Sequence, residues 1–162
     1  MASAFLGLGS NLGDREANVA AAVDALSQLA DTRLMRVSSW LENPAVDSPV
    51  SAGAFLNGVV KLETRLTPRE LLAQALRIER ELGRKREGEP RNSPRTIDID
   101  LLLYADVVMA TPDLVLPHPR MGQRHFVLWP LLQIEPRAKD PKSGELWADV
   151  LARLNASSAT NP

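Results

Sequence analysis

Hydrophobic and polar positions follow two different periods along this chain, and the switches between them mark its elements. Residues 4–8 are a short apolar run, which predicts a strand. From about residue 15 to 30, Val19, Ala22, Val23, Leu26 and Leu29 recur on one helical face, and Asp14 stands where a helix would be capped. Residues 33–41 and 54–63 read as strands, separated by a loop from Glu42 to Gly53 with two prolines and no period. In the second of these strands Leu56, Val60 and Leu62 take one face, while Phe55, Asn57 and Val59 take the other. Thr67-Pro68-Arg69-Glu70 opens a helix with a cap, a first-turn proline and a capping-box glutamate. That helix continues through Leu71, Leu72, Ala75, Leu76, Glu79 and Leu82, and Gly83 ends it. A polar loop leads to Thr96-Ile97-Asp98-Ile99-Asp100-Leu101-Leu102-Leu103, where alternation predicts a strand with Ile97, Ile99, Leu101 and Leu103 on its buried face. A further strand is expected at residues 105–110, then short helices over 126–134 and 147–154, with a polar tail from 155 to 162.

The order strand, helix, strand, strand, helix, strand is the split βαβ pattern. It predicts an α+β, ferredoxin-like fold: a single domain over residues 1–154, with the helices packed on one face of an antiparallel sheet. Strand parity then puts Asp98, Asp100, Phe55 and Asn57 together on the opposite face.

That convergence is where the chemistry gathers. Asp98 and Asp100 point to the same side of one strand, their Cα atoms roughly 6.5–7 Å apart. Two anions so close repel, and a bound cation relieves the repulsion; all-oxygen ligands suit magnesium. A solvated strand face carries alternating aspartates equally well, so the pair alone leaves both readings open. Arg84, Lys85, Arg86, Arg91 and Arg95 precede the aspartates directly. Arginine forks suit phosphate oxygens, and cations beside metal-binding carboxylates are the parts of a phosphoryl-transfer site, although a basic run is also an ordinary solvated loop. Phe55 beside Asn57 suits a flat heterocycle, stacked on the ring and read at its edge by the amide; a core phenylalanine and a strand-edge asparagine is the plainer alternative. Gly7, Gly9 and Gly13 fit neither a dinucleotide fingerprint nor a Walker A loop, and read as a tight strand-to-helix turn with Asn11 within reach of a ligand. His118, set between Pro117 and Pro119, is either a hydrogen-bond donor to a nucleotide or a satisfied structural histidine.

Composition removes several classes. Of 162 residues 44% are hydrophobic, enough for a folded core, and the net charge of −1 gives no global pull toward nucleic acid or an anionic membrane. There is no cysteine, which excludes disulfides, thiolate metal sites and a thiol nucleophile. No apolar stretch approaches the roughly 20 residues of a membrane span, and the first residues lack the pattern of a signal peptide. A cytoplasmic enzyme without nucleic-acid or membrane partners is expected.

Taken in order, Gly9-Ser10-Asn11-Leu12-Gly13, Phe55-Leu56-Asn57, Glu79 with Gly83-Arg84, Pro94-Arg95-Thr96-Ile97-Asp98-Ile99-Asp100, Pro117-His118-Pro119-Arg120 and Arg124-His125-Phe126 through Leu131 resemble the 6-hydroxymethyl-7,8-dihydropterin pyrophosphokinase family of folate biosynthesis. The resemblance covers nearly the whole chain. It implies transfer of pyrophosphate from ATP to the pterin hydroxymethyl group with release of AMP, and two Mg2+ ions held by Asp98 and Asp100. It implies a pterin held between Phe55 and Phe126, read by Asn57 and the loop around Asn43, Pro44 and Val46, with Asn11 nearby. It assigns the phosphates to Arg86 and Arg95, with Arg84 on the same loop, and the ATP side to Glu79, His118 and Arg124. It also suggests a monomer. Asn92 stands where relatives often carry a tryptophan, and Asn43 where a threonine is common, which bears on loop closure.

Two other readings use the same residues. One is a two-metal phosphohydrolase or nucleotidyltransferase on the same aspartates. The other is a single-strand nucleic-acid module with stacking aromatics and a basic loop. An aromatic content of 4% and two aspartates on the face that would meet a polyanion stand against the second.

Overall fold

A computed structural model describes residues 1–43, 54–83 and 96–160. Strand β1 (Ala2–Ser10) leads into helix α1 (Arg15–Ser27), then β2 (Thr32–Val37), β3 (Leu41–Asn43), β4 (Phe55–Thr64) and α2 (Pro68–Leu82). After these come β5 (Asp98–Tyr104), the short pair β6 (Met109–Ala110) and β7 (Val115–Leu116), a 3-10 turn at Met121–Gln123, α3 (His125–Ile134) and α4 (Trp147–Thr160). Both main helices start as their sequences dictate. The Asp14 carboxylate accepts from the Ala17 amide, and Thr67 and Glu70 exchange the reciprocal bonds of a capping box.

Among the described residues, five strands form one antiparallel sheet in the order β2-β4-β1-β5, with β3 also paired to β4. This is the ferredoxin-like split βαβ arrangement, with β5 at one edge. The sheet carries a hydrophobic cluster on each face. On one side Leu6, Leu8, Leu56, Val60, Leu62, Ile99 and Leu101 pack beneath α1 and α2, which contribute Val19, Ala22, Leu26, Leu71, Ala75 and Ile78. On the other, Phe5, Val59, Leu102 and Leu103 pack against Val127, Leu128, Leu131 and Ile134 of α3 and Trp147 of α4.

The helices therefore cover both faces, where the pattern alone predicted one. The α3 segment is nearly continuous in apolar residues, and so carries no periodic stripe to say which side it covers. Other departures have local causes. The pairing of β1 with β5 shifts register between Phe5 and Leu6, so Phe5 faces Leu103 while Leu6 faces Leu101. Leu102 is the extra residue of that bulge, and it moves Leu103 to the face opposite Ile99 and Leu101, against strict alternation. The strand expected over 33–41 divides into β2 and β3, and Leu41–Asn43 pairs with Phe55–Asn57 instead of opening a loop. Ala105 adopts a positive φ of 47° in a turn, which leaves only Met109–Ala110 of the strand expected there. Helix α1 stops at Ser27, before the expected Ala30, and α4 continues past Leu154 to Thr160.

Candidate active site

Three neighbouring strands build a trough across the sheet because the middle one lacks side chains where it matters. In the register, Gly9 of β1 lies between Asn57 of β4 and Asp98 of β5, and Gly7 lies between Val59 and Asp100. Strands are about 4.8 Å apart, so roughly 10 Å separates the backbones of Asn57 and Asp98, with only glycine between them. A Cβ at Gly9 would stand 2.7 Å from Asn57 Nδ2, so no side chain fits there without displacing the amide. Above the trough, α3 and the residue before it supply Phe126, Val127 and Arg124. The result is a cavity of about 300 Å³ lined by Phe55, Asn57 and Asn43 on one side, Phe126 and Arg124 above, and Asp98 and Asp100 on the far side. The Oδ1 atom of Asn57 is buried and has no hydrogen-bond partner. A buried acceptor without a donor is costly, and an amide turned toward the cavity would let a ligand bearing N–H groups relieve it.

A second cavity, of about 380 Å³, opens along the free edge of β5. Leu72, Leu76 and Glu79 of α2 form one wall, Leu101 the floor, and Leu114, Val115, His118 and Pro119 the other wall. Asp98 and Asp100 line this cavity as well as the first, so the aspartate pair is the partition between them. Asp98 is half-buried and Asp100 exposed.

Two polar contacts fix this partition. Glu79 is buried, and its Oε2 accepts the backbone N–H of Ile99, the residue between the aspartates, at 2.7 Å. The His118 amide donates to the carbonyl of Leu102, and the His118 Nδ1 accepts the Arg120 amide at 3.2 Å, which places the neutral ring's proton on Nε2. Burial lowers the His118 pKa below its ordinary value; Arg124 and Arg120 push it the same way, and Asp100 opposes them. His118 lines the second cavity, and a neutral ring there has Nε2–H left to donate. The Arg124 guanidinium lies 5.7 Å from the centroid of the Phe126 ring, close enough for a cation–π contact.

Among the described residues no group of three or more His, Asp or Glu side chains forms a metal cluster. Two carboxylates two residues apart still match what Mg2+ takes from a protein when water and phosphate oxygens complete its shell. The donor set fits a magnesium–polyphosphate group better than a metal held by protein alone.

Of the residues singled out by sequence, the structure gathers Asn43, Phe55, Asn57, Phe126, Asp98 and Asp100 around the first cavity, and Glu79 and His118 around the second. Arg124 lines the first cavity, together with the aspartate pair that both cavities share. Asn11 is buried in the turn after β1 and lines neither. Pro44, Val46, Arg84, Arg86 and Arg95, together with Asn92, lie outside the described residues. Sequence reasoning missed Gly7 and Gly9 as the trough itself. They read as a turn, yet β1 runs to Ser10, and their spacing of two on a strand was the available signal.

Comparison with known proteins gives a consistent result. The sequence profile of the 7,8-dihydro-6-hydroxymethylpterin-pyrophosphokinase (HPPK) family matches residues 5–136. A 2-amino-4-hydroxy-6-hydroxymethyldihydropteridine pyrophosphokinase of Aquifex aeolicus is 41% identical over 87% of this chain and 85% of its own length. The relatives of the same name from Bacillus subtilis and Methylorubrum extorquens are 46% and 41% identical, over 81% and 97% of this chain and 77% and 96% of their own lengths. A solved HPPK-DHPS chain in complex with substrates superposes with a TM-score of 0.73 at 13% identity, over 99% of this chain, which shows the shared fold. A wild-type Plasmodium falciparum HPPK-DHPS does so at 0.74 and 14%. This chain spans 44% and 45% of those two solved chains. The family profile covers most of the residues, and the identities hold over most of each relative: the chain belongs to the 7,8-dihydro-6-hydroxymethylpterin-pyrophosphokinase family.

Proposed function

We infer that this chain transfers pyrophosphate from ATP to the hydroxymethyl group of 6-hydroxymethyl-7,8-dihydropterin, giving the pterin diphosphate and AMP in folate biosynthesis. The observation that carries the reading is the aspartate partition. Two cavities, one walled by aromatic rings and an amide, the other by aliphatic side chains and a histidine donor, meet at one pair of carboxylates. A reaction joining a flat heterocycle to a nucleotide's phosphates needs such a shared wall.

In this reading the pterin lies in the trough between Phe55 and Phe126, its edge donors satisfying Asn57 Oδ1, with Asn43 closing the same side. ATP occupies the second cavity, its base against Leu72, Leu76, Leu101 and Val115, and His118 Nε2–H donates to it. Glu79 acts through the strand, holding the Ile99 amide so that Asp98 and Asp100 keep their spacing. Magnesium, proposed as two ions on these carboxylates, would neutralise phosphate charge. The pterin hydroxyl oxygen attacks the β-phosphorus, and the bond from that phosphorus to the α,β-bridging oxygen breaks. AMP leaves with that oxygen, and the hydroxyl proton is released. Arg124, beside Phe126 in the first cavity, is placed to hold the diphosphate as it arrives on the pterin. Arg84, Arg86 and Arg95 are proposed phosphate contacts on the family resemblance alone, and Asn11 a residue bordering the pterin side on the same basis. The catalytic domain is drawn at residues 1–154, as a cytoplasmic monomer with no nucleic-acid or membrane partner. Among the described residues no helix is long and apolar enough to cross a membrane.

The test is product analysis. With ATP, magnesium and the hydroxymethyldihydropterin, AMP should appear only when all three are present. ADP, or AMP made without pterin, would overturn the reading in favour of a hydrolase or another transferase.

A further inference from the structure

The residues that form the pterin side of the first cavity stand on two strand ends that come from far apart in sequence. Asn43 ends β3 and Phe55 begins β4, and the two are register partners. Nothing in that pairing alone fixes where the pair sits relative to the glycine trough of β1. The β1–β4 ladder, ending at Ser10 opposite Leu56, carries the register as far as the residue after Phe55, and a single side chain braces the two strand ends beyond it. Arg15, the first residue of α1, donates from Nη1 to the carbonyl of Ala54 at 2.5 Å and from Nη2 to Glu42 Oε1, with which it forms an ion pair. Ala54 and Glu42 immediately precede Phe55 and Asn43. One guanidinium therefore grips both strand ends, each one residue from a cavity-lining side chain.

Arg15 is itself held in place. Gly13 takes a positive φ of 69° at the end of the turn after β1, Asp14 caps α1, and the Asn18 amide donates to Ser10 Oγ and the Leu12 carbonyl. The turn that follows Gly9 is thus rigidly joined to Arg15. The guanidinium fork suits this task, since its two terminal nitrogens reach two acceptors in a fixed plane. Arg15 is mostly covered, its side chain 24% exposed, whereas Glu42 is 63% exposed. The contact to the Ala54 carbonyl is therefore the less screened of the two.

We propose that Arg15 is a positioning residue for the pterin pocket: it braces the Asn43/Phe55 strand ends beyond the last β1–β4 pair, and so governs affinity for the heterocycle and not for the nucleotide. This rests on the reading of the first cavity as the pterin pocket. Arg15 lines neither cavity, and it need not touch the substrate.

The test compares Arg15→Met, Arg15→Lys and Glu42→Gln with the unaltered protein. Pterin affinity is followed by fluorescence titration, AMP formation by steady-state kinetics with each substrate varied, and backbone order by hydrogen exchange at the β3 and β4 amides. Arg15→Met should weaken pterin binding about tenfold, as expected when a preorganised wall is loosened, with the KM for ATP and kcat within about twofold. Arg15→Lys, able to keep one contact but not both, should fall between. Glu42→Gln, which keeps an oxygen acceptor and removes the exposed charge, should stay near the unaltered protein. Exchange at Leu41–Asn43 and Phe55–Asn57 should quicken in Arg15→Met. Unchanged pterin affinity in a folded Arg15→Met, or equal losses toward both substrates, would overturn the proposal. If the unaltered protein makes no AMP, the functional reading fails. Exchange at the two strand ends still decides whether Arg15 orders that wall, and unchanged exchange would overturn the proposal there too.

Discussion

One added methyl group at position 9 tests the trough directly. Gly9→Ala places a Cβ 2.7 Å from Asn57 Nδ2 and 3.6 Å from Phe55 Cδ1. Ordinary contact begins near 3.4 Å, so the Asn57 amide must move by about 0.7 Å or the strands must part by as much. Asn57 borders the cavity, so its amide yields by turning away from the place where it would meet a ligand. Overpacking of this kind costs about 1–3 kcal/mol. If the displaced group is the one that reads the substrate edge, a similar amount is lost from pterin recognition, or roughly 10- to 100-fold in kcat/KM for the pterin. The second cavity, proposed for the nucleotide, does not include Gly9, so the KM for ATP should hardly change. The assay is AMP release with each substrate varied in turn, alongside thermal unfolding. Gly7→Ala supplies the stability control, because its Cβ would meet Leu102 at an ordinary 3.5 Å. A Gly9→Ala protein with unaltered pterin kinetics, or one that loses ATP and pterin recognition equally, would refute the reasoning.

Three further outcomes are expected. Asp98→Asn and Asp100→Asn should each lower AMP formation by about three orders of magnitude or more, the scale of removing a charge that organises phosphoryl transfer, while circular dichroism stays unchanged; near-normal turnover in either would remove the metal assignment. Thr67→Ala deletes the cap of α2 and should cost about 1 kcal/mol, seen in calorimetry as a fall of about 2–4 °C in Tm. His118, with its pKa depressed chiefly by burial, stays neutral in the folded protein at pH values where the unfolded chain takes up a proton. Its contribution to stability is complete above its ordinary pKa near 6.5 and is lost as pH falls from there toward the lower folded value. Urea titrations at a series of pH values should show that slope, and His118→Asn should flatten it.

Much of this arrangement was legible in the residues because strand parity is a strict rule where no bulge intervenes. Phe55, Asn57 and Val59 of β4 face away from Leu56, Val60 and Leu62, and Asp98 and Asp100 share the cavity-facing side of β5, as alternation required. The Thr67–Glu70 box was readable because every group in it lies within four residues. What was hidden depends on contacts between distant segments. The bulge opposite Phe5 and Leu6 that sends Leu103 to the second cluster is a property of two strands together. The face chosen by α3 is set by which side of the sheet is left uncovered by α1 and α2. The meaning of Gly7 and Gly9 emerges only when Asn57 and Asp98 are seen on either side of them. The place of Arg124 beside Phe126 follows from the turn that precedes α3.

The position of β5 at the rim of the sheet has a consequence for how this molecule behaves among its own copies. An edge strand presents unpaired amides and carbonyls, and these are a template on which another chain can add a strand and begin to aggregate. Here the exposed rim is blunted by the parts that build the second cavity. The Glu79 carboxylate occupies the Ile99 amide, and the His118 amide occupies the Leu102 carbonyl. The same contacts that shape this cavity also keep the strand from recruiting a neighbour, so substitutions at Glu79 should register in solubility as well as in turnover.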